Sequence, residues 1–403
     1  MDDWFTIIPG RMGVRTTHLF RSLPVNQSIP LDDTTSAVSL REPWLRQLLP
    51  DHAPAVLRRF IQLVTGIFET RSLLIETIAD STAFRANASS NATHVRRILR
   101  DLRLTRDDLS YPFVRSIQAS VPATDLDLTV DETSHGTEYN VVQIGWATDG
   151  MSVPLGMLIY APNAPWAEAT RIRLHTTDDL IPDGMTVPVL ADQIHTGEPF
   201  LACLDGLSWN DVFRASDTTQ IEHPTTGWMP LQRVYTRANT GRYLPNVRLW
   251  KQGQRRSKIS IWKRVRPEFR PVIWYVVSNL DPDATHFFEY AGRWWCECTF
   301  KILKSGQCQW ERGRVTDAHR VRVLMMGVRC ALWALGLLGR EYERIPVVKP
   351  TTCQPQRRRH RLIADGYAAF RLAVKRQQPL QMPAPRPPRV LDYQRVFEWV
   401  HSA

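Results

Sequence analysis

Near residue 124 the hydrophobic period of this chain changes from helical to extended, and no other feature narrows its possible folds as much. Leu126–Asp131, Val141–Ala147 and Ser152–Ile159 are strand-like runs separated by the turn signals His135-Gly136 and Asp149-Gly150. That pattern predicts an antiparallel meander. A further apolar run, Val187–Ala191, stops at Asp192 and leads into a short helix over Glu198–Leu204. Upstream, between 40 and 110, Leu57, Phe60, Ile61, Val64, Ile67 and Phe68 recur at helix spacing, and beyond 280 long helices return. Strands flanked by and alternating with helices predict an α/β architecture.

Composition matters chiefly through charge. With 43% hydrophobic and 23% charged residues the chain is ordinary globular material, which excludes wholesale disorder and collagen. Lys plus Arg number 51 against 40 Asp plus Glu, a net of +11. Residues 233–270 contain twelve Lys or Arg and the single acid Glu268, so this segment alone matches the surplus. Clustered positive charge predicts a polyanionic partner. Within it, Lys258–Arg266 alternates: Ile259, Ile261 and Val265 point one way, and Lys258, Ser260, Trp262, Arg264 and Arg266 the other. The second face suits phosphates.

The N-terminus, Met1-Asp2-Asp3-Trp4, lacks the layout of a signal peptide, which predicts a cytoplasmic protein. The longest apolar run, Cys330–Gly339, is half of the roughly 20 residues a spanning helix needs, so it reads as a core helix and no membrane is expected. Six cysteines are few for this length. Cys296, Cys298, Cys308 and His286 lack zinc-knuckle spacing, which disfavours metal ligation there.

Four regions follow. Residues 1–118 read as a helical N-terminal DNA-binding region, with cap-type Ser89–Thr93 ahead of a basic amphipathic helix over 94–103 carrying Arg96, Arg97 and Arg100; a solvated basic face on a bundle explains the same residues. Residues 119–214 and 280–345 form the α/β core, interrupted by a β-rich basic insertion over 215–279. Residues 346–403 are basic and Pro-rich, with helices expected near 363–376 and 390–400.

Tyr290, Arg293, Glu297 and Lys304, placed on a uniform helix, fall at about 0°, 300°, 340° and 320°, within an arc of about 60°. On spacing alone a salt-bridged solvent face is favoured. The aspartates tilt the balance. Asp131 and Asp192 are expected at the C-terminal ends of strands, where α/β sheets gather functional groups. With Glu297 they form a carboxylate trio suited to hard divalent cations. His135 and His195, near the two aspartates, read as loop or supporting residues; Trp295 points away from the shared face and reads as core.

The run Tyr290-x2-Arg293-x3-Glu297-x6-Lys304 resembles, at every fixed position, the Y-x2-R-x3-E-x6-K signature of bacterial DDE transposases of the insertion-sequence-four family. The settings of Asp131 in Leu128–Thr133 and of Asp192 in Val189–Asp192 are similar too, although Asp192-Gln193-Ile194-His195 departs from the residues usual after the second acid. The resemblance implies an RNase H-like catalytic core with a β insertion. It implies a catalytic trio Asp131, Asp192 and Glu297 holding two Mg²⁺ or Mn²⁺ ions, and DNA contacts from Tyr290, Arg293 and Lys304. Activity would be cut-and-paste transposition by a homodimer on transposon-end and target double-stranded DNA in the nucleoid, through a hairpin. By the same resemblance Trp262 or Trp250 would hold an extruded base; alternatively Trp228, Trp250, Trp262 and Trp274 simply fill a small β core. A non-joining nuclease of this fold, or a catalytically idle DNA-binding relative, fits the same residues.

Overall fold

The structure is a computed structural model that describes residues 45–46, 53–104, 113–114, 117, 126–342 apart from short breaks, and 362–376. Residues 1–44, the arginines at 357–361, the Pro-rich stretch and the helix expected over 390–400 lie outside the described residues.

Helix α1 (Pro54–Thr70) begins on a proline, whose missing N–H is no loss in a first turn, and buries Leu57, Phe60, Val64, Ile67 and Phe68. It is followed by α2 (Ile75–Ala79) and α3 (Ala88–Leu99). The cap of α3 is Asn87, whose side chain accepts from the Ser90 amide at 2.9 Å. The Ser-Ser-Asn run expected to precede the helix therefore forms its first turn. Val95, Ile98 and Leu99 turn inward, leaving the arginines outside.

The strands are β1 (Leu128–His135), β2 (Tyr139–Thr148), β3 (Met151–Tyr160) and β4 (Pro188–Ala191); after helix α4 (Glu198–Gly206) come β5 (Asn210–Arg214), β6 (Gln220–His223), β7 (Gly227–Pro230), β8 (Thr240–Leu249), β9 (Arg256–Arg266) and β10 (Phe269–Ser278). All join one ten-stranded sheet in the order β3-β2-β1-β4-β5-β10-β9-β8-β6-β7. β1, β4 and β5 run parallel to one another, and every other pairing is antiparallel. The basic segment thus extends the same sheet, because β10 returns to pair with β5.

Helix α5 (Trp294–Lys301) lies across β1, β2 and β3. It sits on a polar strip: Gln143 Nε2 donates to Cys296 Sγ at 3.4 Å, and Thr299 Oγ1 donates to the Ser152 carbonyl at 3.2 Å. Gly145 keeps that strip close, since a Cβ there would strike Ser152 Oγ. Helix α6 (Ala318–Tyr342) crosses β3, α1 and α3, and α7 (Leu362–Lys375) packs along it. By length and mean hydropathy (1.7) α6 could cross a membrane, but 89% of its apolar window is buried within the fold. His135, expected in a loop, is the last residue of β1, buried and stacked on Tyr139 with Nε2 3.1 Å from the Trp310 carbonyl.

Candidate active site

Asp131 is not at a strand end. It is the fourth residue of β1, paired with Gln143 of β2. What ends there is the parallel ladder: Val130 is the last residue of β1 aligned with β4, opposite Ala191. Asp131, still within β1, and Asp192, just past the end of β4, come next, so the backbone sets them side by side at roughly the 4.8 Å strand spacing. Asp131 Oδ1 accepts from the Glu132 amide at 2.9 Å and Asp192 Oδ1 from the Gln193 amide at 2.7 Å, which leaves an oxygen of each free to turn elsewhere.

The stretch carrying the other signature residues changes pitch twice. Tyr290–Arg293 is a 3₁₀ turn, Trp294–Lys301 is α-helical, and Ile302–Gly306 is a π turn. A uniform helix would have aligned all four side chains; the π turn rotates the last one out of line. Lys304 ion-pairs with Glu311 at 3.6 Å instead of joining the acids. Tyr290 is buried, its ring edge-on to Trp274 at 5.2 Å. Burial raises its phenol pKa, with the Arg293 guanidinium acting the other way.

Arg293 gathers the trio. Its Nη1 donates to Asp131 Oδ2 at 2.9 Å, while its Nη2 lies 3.7 Å from Asp192 Oδ2 and bonds Glu297 Oε1. Side-chain exposure rises outward, from 11% at Arg293 and 15% at Asp131 to 31% at Asp192 and 39% at Glu297, so the cluster has a dry floor and a wet rim. Burial pushes the Asp131 carboxyl pKa up, and the charges of Glu297 and Asp192 push the same way against Arg293. His195 is fully buried against Phe200, with its pKa lowered to about 4 by burial, so the imidazole stays neutral.

As a donor set, three carboxylates suit Mg²⁺ or Mn²⁺. As placed, no group of three or more His, Cys, Asp or Glu side chains among the described residues stands ready to hold a metal ion. A guanidinium lies between the oxygens. Cys296 and Cys308 are buried thiols whose pKa burial raises; His286 lies outside the described residues.

Cross-strand register carries the acidic face across the sheet. Thr129, two residues before Asp131, aligns with Leu190, Leu190 with Val212, Val212 with Ser278, and Ser278 with Lys258. Trp274 aligns with Trp262 and Val272 with Arg264. Directly opposed residues share a face, so Asp131, Trp262 and Lys258 do. Trp262 is half-buried against the small apolar cluster of Trp274, Val276 and Tyr290. Trp250 is half-buried at a hairpin corner with φ 54°, and Trp228 lies under Arg248. Lys258 Nζ meets Asp281 at 2.5 Å. The side chains of Arg264 and Arg266 lie outside the described residues. In the helical region Arg96 is paired to Glu76 at 2.6 Å, Arg97 lines an open cleft with Arg85 and His94, and Arg100 is an exposed C-cap.

Two features escaped the sequence reading. Arg214, at the end of β5, holds its guanidinium 6.0 Å from the Trp274 ring on the same face. Arg255 joins Asp205 and Asp211, pinning the β8–β9 hairpin to α4 and β5. Strand pairing brings these together, and nothing local marks it beforehand.

No protein-family model matches the chain, and no curated protein matches it. Among solved structures it is similar to a piggyBac transposase in a synaptic complex with hairpin DNA, at 11% identity and a TM-score of 0.42, over 91% of this chain and 82% of that one.

Proposed function

We propose that the protein is a cut-and-paste DNA transposase of the insertion-sequence-four type, built on an RNase H-like core. The observation that carries this reading is the meeting of Asp131, Asp192 and Glu297 on one guanidinium, from two adjacent parallel strands and a helix lying over them. The order β3-β2-β1-β4-β5, three antiparallel strands then two parallel ones, supports the core assignment. Lys258 of β9 and Arg214 of β5, on the face that carries the acids, support a duplex as substrate.

Asp131, Asp192 and Glu297 would hold divalent cations, Mg²⁺ or Mn²⁺, which when bound activate an attacking oxygen and stabilise a leaving one. The chain's own residues do the rest. Buried Tyr290 packs on Trp274 beneath the site, Lys258 and Arg214 present positive charge to backbone phosphates, and neutral His195 supplies an uncharged wall beside Asp192. Water attacks phosphorus at the transposon end and breaks the bond to the strand's 3′ oxygen, freeing a 3′-OH. That hydroxyl attacks phosphorus in the opposite strand and displaces that strand's 3′ oxygen. A second water reopens the hairpin by displacing the same 3′-OH, and this hydroxyl then attacks a target phosphate and displaces a 3′ oxygen there. Each displacement is in line at phosphorus, so one site serves all. A homodimer, with two sites for two ends, and a place on the nucleoid belong to the same proposal.

The test incubates the full chain and Asp192→Ala with the terminal inverted repeat of its element and Mg²⁺, and follows labelled strands on denaturing gels. The wild type releases a 3′-OH end and joins it to a plasmid; the variant does neither. Cleavage persisting in the variant rejects the proposed site, and cleavage without joining identifies a nuclease.

A further inference from the structure

Arg293 stands where its role as a phosphate contact would not put it. Its Nη2 faces Asp192 and Glu297 together, its Nη1 binds Asp131, and the whole guanidinium is sunk beneath the rim. A planar fork of five donors and fixed charge is suited to carboxylates, and here it serves three. Those three oxygens are the ones the proposed reaction assigns to divalent cations, and among the described residues they form no ready metal group. The same oxygens cannot be given in full to both cations.

We propose that Arg293 is the resident counter-ion of the trio and exchanges with the divalent cation. The cation takes Asp192 and Glu297 as the guanidinium leaves them, and a DNA phosphate, itself an anion, receives the guanidinium. Cation uptake and substrate engagement thereby favour one another. The proposal rests on the reading of the trio as a cation site.

Mn²⁺ binding to the full chain, measured by titration calorimetry without DNA, tests it. A merely structural arginine would loosen the site when removed and weaken binding. Exchange requires the opposite: Arg293→Gln binds Mn²⁺ at least about fivefold more tightly than wild type, the lower end of ordinary coupling between sites. A short DNA duplex strengthens Mn²⁺ binding to the wild type by a similar factor and leaves Arg293→Gln unchanged. The double variant Arg293→Gln, Glu297→Gln loses the gain. Equal or weaker Mn²⁺ binding by Arg293→Gln overturns the exchange alone, as does a gain that survives the double variant. No Mn²⁺ binding by any of the proteins, with or without DNA, overturns the cation site itself. Should Arg293→Gln fail to fold, Arg293→Lys, which keeps the charge and loses the fork, decides: tighter Mn²⁺ binding supports exchange and unchanged binding rejects it.

Discussion

Asp211 Oδ1 meets Arg255 at 2.5 Å, while Oδ2 is buried with no hydrogen-bond partner. Burial lifts its pKa from 3.8 to about 6, and Arg255 offsets this only in part. The folded protein therefore binds a proton between about pH 4 and 6 that the unfolded chain releases. This group's contribution is fully present below about 4 and is lost as pH rises through about 6, a change on the order of 3 kcal/mol. Asp211→Asn should flatten that fall in stability, read from urea midpoints at a series of pH values. Trp262 has a prediction at the same scale. If it receives an extruded base, Trp262→Ala lowers hairpin formation about 5- to 150-fold with cleavage less affected, since stacking is worth about 1–3 kcal/mol per base; 2-aminopurine fluorescence at the end reports it. Asp131 and Asp192 were nominated from the sequence because each closes an apolar, strand-like run, and Glu297 because its spacing from Tyr290, Arg293 and Lys304 matches a helix face and a known signature. The pairing of Arg293 with Glu297 was open to the same reading, being four residues apart, but its reach to Asp131 and Asp192 was not, because contact between elements distant in the chain is settled only by packing.

Among the elements, α7 was the easier to anticipate: a helix over 363–376 is expected and Leu362–Lys375 forms one. Its docking was not, because it depends on two glycines. Gly366 and Gly339 let α7 and α6 approach until a Cβ at 366 would strike the Leu335 carbonyl oxygen and one at 339 the Leu362 carbonyl. Tyr367 then reaches the Glu69 carbonyl at 3.0 Å, with the Arg71 guanidinium over its ring at 3.8 Å. Gly366→Ala should cost about 1–3 kcal/mol by overpacking, seen as a lower denaturation midpoint with unchanged far-ultraviolet dichroism. The stretch 290–306 teaches the converse. Its residue spacing matched a helix face, yet spacing does not encode pitch, and the π turn detaches Lys304 from the group.

The whole molecule was legible as α/β with a basic β-rich segment, because period and charge are local properties. The order of ten strands was not, since pairing β10 with β5 joins chain segments that no local pattern relates. Placing acids and basic residues on one face predicts strongly salt-dependent DNA binding. If six to ten phosphates are contacted, affinity falls by roughly 10³–10⁵ between about 50 and 200 mM salt. Lys258→Ala should lower the slope of log K against log salt by about one, uniformly across sequences, in fluorescence-anisotropy titrations. The unbroken sheet has a mechanical corollary. A load placed on the β8–β9 hairpin would pass rung by rung through β10 and β5 to β4, whose last residue, Ala191, precedes Asp192.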